Sequence, residues 1–188
     1  MIFHPVGGSI EHLRSIRDII IGTHCIAILS LSFCAYGFFG ITHYLGGKFV
    51  SVIGFIFSLF ALIAAMGAAG VNGLALPFFI DTIKDLEEQV GSINHVIRYS
   101  MALNHMFDYI FMGGMILAVI CWSIAIIKDG LKHKWMGYLG LIIAISIVTM
   151  FILGFYFLDL SGFRIFVMSF ILWILIIGIF MIRESNNI

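Results

Sequence analysis

The sequence predicts an all-α fold in which residues 1–188 form a single domain, an integral membrane bundle of five transmembrane helices with a short N-terminal interfacial helix. Hydrophobic residues make up 62% of the chain and charged residues 11%, whereas soluble domains carry about 25% charged residues. Five apolar runs also reach the length of about 20 residues that a membrane-spanning helix needs. These runs are 19–41, 49–71, 100–127, 136–158 and 164–182.

The segment 9–18 precedes the first run and is more polar. Serine is a residue type that caps helix N-termini, so Ser9 predicts that this segment forms the short interfacial helix. After the second run, Gly70, Gly73 and Pro77 predict a break or kink, because glycine is flexible and proline cannot donate the helical hydrogen bond. The chain is expected to leave the membrane there.

The third helix is predicted to start above the membrane with Ser92 as its N-cap and, if unbroken, to be longer than the bilayer is thick. A tight turn at 159–164 is predicted to join the last two spans. The short loop 128–134 contains three lysines, and cytoplasmic loops carry an excess of Lys and Arg. The amino terminus is therefore expected outside and the carboxyl terminus in the cytoplasm.

Aromatic residues near the ends of the spans are typical of interfacial belts. Trp122, Trp135, Tyr138 and Tyr156 are predicted to lie in such belts, whereas Trp173 lies in the middle of a span and is predicted to pack inside the bundle.

Charge balance limits the partners of the chain. Ten Lys and Arg residues match ten Asp and Glu residues, which argues against a nucleic-acid-binding surface. The high hydrophobic content makes membrane lipid the expected environment instead. Small residues between 61 and 70 favour close helix packing, either within the chain or between copies in a homo-oligomer. No substrate follows from the composition.

Polar residues collect at one end of two apolar runs. His24 lies about five residues into the first run and His105 about five residues into the third, which places both about 8 Å below the start of their spans. Ionisable groups at membrane depth are costly and usually functional. Helical spacing also puts one polar stripe on the third span, which is expected to face other helices because lipid cannot hydrogen-bond it. The stripe consists of Asn94, Arg98, Met101, His105, Asp108 and Met112.

The first functional hypothesis is a metal or haem site near the extracytoplasmic side. His24 and His105 are the candidate ligands of a haem iron or of zinc, iron or copper, since imidazole suits all three metals. Asp108 or His95 would complete or orient the site. Such a protein would transfer electrons or carry out metal-dependent hydrolysis.

Three further residues are expected to support this site. Arg98 and Asn104 lie beside it on the third span, and Arg17 shares a face of the first helix with His24, seven residues later.

The alternative hypothesis is a non-enzymatic membrane bundle that works as a subunit, a scaffold or a small-molecule binder. In that case Asp108 pairs with Arg98 or His105, and His24 and Asn104 add hydrogen bonds that hold the helices together. A channel or transporter is a third class.

Asn72 is predicted to cap the second helix rather than to bind a ligand.

Two stretches of the chain resemble a loosely defined group of small bacterial multi-pass membrane proteins without an assigned activity. One stretch runs from His4-Pro5 to Gly8-Ser9, and the other from Asn104 through Trp122-Ser123 to the segment 135–141. The resemblance implies a helical protein of the bacterial inner membrane and implies no catalytic residue.

Overall fold

The computed structural model describes residues 10–82, 86–128 and 133–185. Every regular element within these residues is a helix, and five helices are long and apolar enough to cross a membrane. The predicted fold class is therefore confirmed, and the chain is a multi-pass membrane protein. Ser9 and most of the lysine-containing loop lie outside the described residues. The elements are α1 (Ile10–Ser15), α2 (Arg17–Tyr44), α3 (Phe49–Gly70), a π-helical segment (Val71–Ala75), α4 (Leu76–Thr82), α5 (Leu86–Lys128), α6 (Lys134–Ile152) and α7 (Leu160–Ser185).

The second apolar run continues as a helix where the sequence predicted that the chain leaves the membrane. A π-helical turn joins α3 to α4, and the Leu76 amide bonds the Val71 carbonyl five residues earlier. Pro77 explains this widening, because a proline ring clashes with the carbonyl four residues before it, here that of Gly73. The predicted irregularity is thus confirmed, and the helix nevertheless extends to Thr82.

α5 begins at Leu86, so the prediction that Ser92 caps it is wrong. The segment before Ser92 contains leucine, glutamate and glutamine, which favour helix and extend it toward the amino terminus. At 43 residues the helix is about 64 Å long, more than twice the hydrocarbon thickness of about 30 Å. The expectation of a helix longer than the bilayer is confirmed.

The turn between the last two spans comes earlier than predicted. α6 ends at Ile152, where Gly154 has a φ of 85° and the Phe155 amide bonds the Met150 carbonyl at 2.9 Å. This is the glycine-terminated helix end in which a left-handed residue closes the last turn. Asp159 then caps α7 by accepting a 2.7 Å hydrogen bond from the Gly162 amide.

Two compact units make up the chain. The first comprises the described residues of Met1–Cys34 and Leu62–Phe111, and the second those of Ala35–Ala61 and Met112–Ile188. Helices α2, α3 and α5 contribute residues to both. The first unit contains the polar residues singled out above.

Two buried tryptophans organise the second unit. Trp122 is fully buried, and its Nε1 donates to Thr42 Oγ1 at 3.1 Å and to the Ser51 carbonyl at 3.2 Å. Its predicted interfacial position is wrong, because these partners satisfy the indole N–H inside the bundle. Trp173 is also fully buried, as predicted, and donates to the Met136 carbonyl at 2.9 Å. The other three predicted belt residues are exposed.

Candidate functional site

A chain of four polar side chains joins the π segment to α5 in the first unit. Ser100 Oγ donates to Asn72 Oδ1 at 3.0 Å, and Asn72 Nδ2 donates to Asn104 Oδ1 at 2.6 Å. Asn104 Nδ2 then donates to Asp108 Oδ2 at 2.7 Å. We call these four residues the polar ladder. Ser100 is buried and the other three are half-buried.

Each hydrogen bond in the ladder is donated in the direction of Asp108, from Ser100 through Asn72 and Asn104. Asn104 presents its amide nitrogen to Asp108 and its amide oxygen to Asn72. Asn72 is then oriented in the same sense, and the Ser100 hydroxyl donates to it. Aligned hydrogen bonds polarise one another, and the ladder holds the Asp108 carboxyl group in one orientation.

The π segment is the reason that Asn72 reaches α5. The sequence predicted a capping role for Asn72, and this is wrong, because its side chain bonds Ser100 and Asn104 instead. A π-helical turn holds one residue more than an α-helical turn, so it changes the direction in which each later side chain points. Such insertions are frequent at functional sites.

The next residue of the π segment contacts α2. Gly73 is buried, and a Cβ placed on it would overlap Cβ, Cγ and Cδ2 of His24. His24 Nδ1 is also 2.8 Å from the Ile20 carbonyl on the preceding turn of α2. The contact with Gly73 and this hydrogen bond together fix the orientation of the imidazole. Only glycine fits at position 73 while His24 keeps this place.

Arginines near the start of α2 hold the end of α4. Arg17 Nη2 is 3.5 Å from Asp81 Oδ2, and the Arg17 guanidinium lies 5.4 Å from the centre of the Phe78 ring. Arg14 donates to the Ile80 carbonyl at 3.4 Å, and cations are favourable at a helix C-terminus. Arg17 thus contacts α4 and His24 contacts the π segment, both from the face of α2 that the sequence predicts them to share.

The predicted polar stripe of α5 does not face neighbouring helices as a whole within the described chain. Arg98, Met101 and His105 are exposed, whereas Ile93 and Ser100 are buried. The predicted stripe is centred on charged residues, whereas Ile93 and Ser100 define the buried face. Of the candidate site residues on α5, Asn104 and Asp108 lie at this face.

His105 and Asp108 form a pair at the edge of that face. Residues three apart on a helix are neighbours, with Cβ atoms about 5–6 Å apart, and these two side chains interact electrostatically. The pair immediately precedes the run 109–127, which contains no Asp, Glu, Lys, Arg or His and is long enough to cross the hydrocarbon layer.

Among the residues that the structure describes, no group of three or more His, Cys, Asp or Glu side chains is arranged to hold a metal ion. His95 is exposed and lies about 15 Å before His105 along α5. Comparison of the chain with protein-family models, curated proteins and solved structures found no match.

Proposed function

We propose that this protein binds a transition-metal ion, with His105 and Asp108 as ligands and with the polar ladder orienting the carboxylate. The observation that carries the proposal is the 2.7 Å hydrogen bond from Asn104 to Asp108 and the two hydrogen bonds behind it. Carboxylates that ligate metals are commonly held by such outer partners, whose loss typically costs 10–100-fold in affinity or activity.

The spacing of the pair also supports the proposal. The di-metal carboxylate bundles take ligands from a glutamate and a histidine three residues later on one helix, and His105 and Asp108 have the same spacing in the opposite order. Zinc, iron and copper accept imidazole, and zinc also takes carboxylate oxygen. His95 is left out of this ligand set, because side chains about 15 Å apart along a helix axis cannot share one ion.

A haem protein is the second candidate. One observation favours it: His24 Nδ1 lies 2.8 Å from the Ile20 carbonyl, and histidine ligands usually donate one ring nitrogen to such an acceptor. His24 and His105 would then be the two axial ligands. Redox chemistry would follow for haem, and electron transfer or hydrolysis for a bound metal.

The non-enzymatic alternative treats the polar ladder as a structural element. Its support is that each ladder member already has a partner, so the ladder can join the π segment to α5 without any ligand.

The proposed orientation is that of a bacterial inner-membrane protein with the ladder toward the extracytoplasmic side and the carboxyl terminus in the cytoplasm. It rests on the three lysines of loop 128–134 and the excess of cations in cytoplasmic loops.

Metal and haem content separate these candidates. The detergent-purified protein is analysed for metals and by visible spectroscopy, before and after loading with Zn²⁺. We expect the wild type to bind zinc. The zinc affinity should fall at least tenfold in Asp108→Asn and His105→Ala and about 10–100-fold in Asn104→Leu. His43→Ala is the control, since His43 is an exposed histidine in the second unit.

Each alternative gives a different result. A Soret band that disappears in His24→Ala favours haem. Lower thermal stability of the ladder variants without any metal binding by the wild type favours the structural role and contradicts the proposal.

A further inference from the structure

We propose that the second unit binds the headgroups of anionic phospholipids at the end where α6 begins and α7 ends. Charge is unevenly distributed in this unit. The segments 43–49, 128–134 and 182–188 together contain five Lys and Arg against two Asp and Glu, whereas the connection 153–164 contains one of each sign. The proposed metal site lies in the first unit, so the lipid site involves different residues.

Buried hydrogen bonds bring the end of α2, the start of α3 and the end of α5 together. Trp122 lies six residues before the end of α5, and its indole donates to Thr42 and to the Ser51 carbonyl. Thr42 is two residues from the end of α2, and Ser51 is two residues from the start of α3. The exposed residues Lys48 and Lys128 therefore lie at the same end of the unit.

Two further contacts place the start of α6 and the end of α7 at this end. A Cβ built on Gly137 of α6 would meet the Ile126 side chain near the end of α5. The Phe180 ring of α7 has its centre 4.7 Å from that of His133 and 5.6 Å from that of Trp135. Three rings from α7 and the start of α6 thus form one aromatic cluster.

Cations of both helices flank the aromatic cluster. Lys134 lies between His133 and Trp135 in the chain, and Arg183 follows Phe180 by three residues, which places it on the same face of α7. Both cations are exposed. A negative charge beside the cluster is therefore attracted by α6 and α7 together.

An apolar track leads from the cluster along α6. Trp135, Tyr138, Ile142 and Ile145 follow one another at intervals of three, four and three residues, and all four are exposed. This spacing places them on one helix face. The track is about 15 Å long, which is half of the hydrocarbon thickness of about 30 Å. It begins with two aromatic residues of the type found at membrane interfaces and has the length of one leaflet.

A phospholipid matches both features, because its headgroup is anionic and its acyl chain is apolar. An acidic peptide matches only the cations. Each Lys or Arg near an anionic membrane surface strengthens binding about fivefold. Lys134 and Arg183 should therefore favour an anionic over a zwitterionic phospholipid by about 5–25-fold.

Tryptophan fluorescence of the full chain in vesicles measures binding at this site. Of the three tryptophans, Trp122 and Trp173 are fully buried and Trp135 is exposed, so brominated acyl chains quench mainly Trp135. The vesicles contain phosphatidylcholine and increasing fractions of phosphatidylglycerol, with bromine on one of the two lipids at a time. We expect phosphatidylglycerol to bind beside Trp135 about 5–25-fold more strongly than phosphatidylcholine.

Three variants identify the groups responsible. Lys134→Gln combined with Arg183→Gln should lower the preference at least fivefold. Arg164→Gln removes an exposed cation near the opposite end of α7 and should leave the preference unchanged. Trp135→Phe should remove the quenched signal. The circular dichroism of each variant must match that of the wild type, which separates lost binding from misfolding.

Three results would overturn the proposal. Equal quenching by the two brominated lipids means that the site does not select anionic headgroups; if polyglutamate then shifts the emission of the wild type and not of the double variant, the occupant is an acidic peptide. A preference that survives in the double variant excludes Lys134 and Arg183 as its source. An equal loss in Arg164→Gln means that the net charge of the chain, rather than this site, attracts the lipid.

Discussion

Replacing Gly73 with alanine tests the contact between the π segment and α2. In the structure a Cβ at position 73 would overlap three atoms of His24, among them its Cβ. The Cβ of His24 is fixed to the α2 backbone, so a rotamer change cannot remove the clash. The helices must move apart, or His24 must lose its place against the π segment.

The size of the effect follows from two opposing terms. Overpacking a well-packed interior costs about 1–3 kcal/mol, whereas alanine in place of a helical glycine gains up to about 1 kcal/mol when there is room. Gly70 provides this comparison, because nothing lies within 4 Å of a Cβ built there. Both substitutions gain this helical preference, so Gly73→Ala should be about 1–3 kcal/mol less stable than Gly70→Ala, which is about 5- to 150-fold in the unfolding equilibrium.

Unfolding in detergent, followed by circular dichroism against temperature and denaturant, measures this difference. We expect Gly73→Ala to melt several degrees below wild type and Gly70→Ala at or above it. His24→Ala in the Gly73→Ala background should recover part of the loss, because it removes the overlapping ring. Equal stability of the two glycine variants would refute the close contact.

Two further comparisons test the second unit and a helix end. Trp122→Phe removes the donor to Thr42 and leaves space in the interior, so it should cost about 2–4 kcal/mol; Trp135→Phe, at an exposed position, should cost less than about 1 kcal/mol, and similar losses would contradict the buried hydrogen bonds. Gly154→Ala places a side chain at a φ of 85° and should cost about 1–2 kcal/mol, whereas Gly178→Ala, with open space around it, should be neutral or stabilising. Denaturant unfolding measures both pairs.

The number and type of the long helices followed from composition, because an apolar run of about 20 residues can satisfy its backbone hydrogen bonds within a membrane by forming a helix. The irregular turn near Pro77 followed from the chemistry of proline. Helix ends were less predictable. Ser92 has the chemistry of an N-cap, but the residues before it also favour helix, and local preference alone does not choose between the two.

The candidate site was predicted in part. Asn104 and Asp108 were recognised because polar groups in a long apolar helix need partners. The sequence predicts a cap for Asn72 and does not predict its contact with α5. That contact depends on the π-helical turn, which alters the helical register that sequence spacing assumes. Ser100 carried no charge to single it out. Pro77 four residues after Gly73 was the available signal for the altered register.

X-ray absorption spectroscopy of the zinc-loaded protein tests the central claim most directly, because it identifies the ligand atoms of the bound ion. The account predicts nitrogen and oxygen ligands at about 2.0–2.2 Å, with imidazole scattering that disappears in His105→Ala. Sulfur ligands at about 2.3 Å, or an unchanged imidazole signal in His105→Ala, would contradict it.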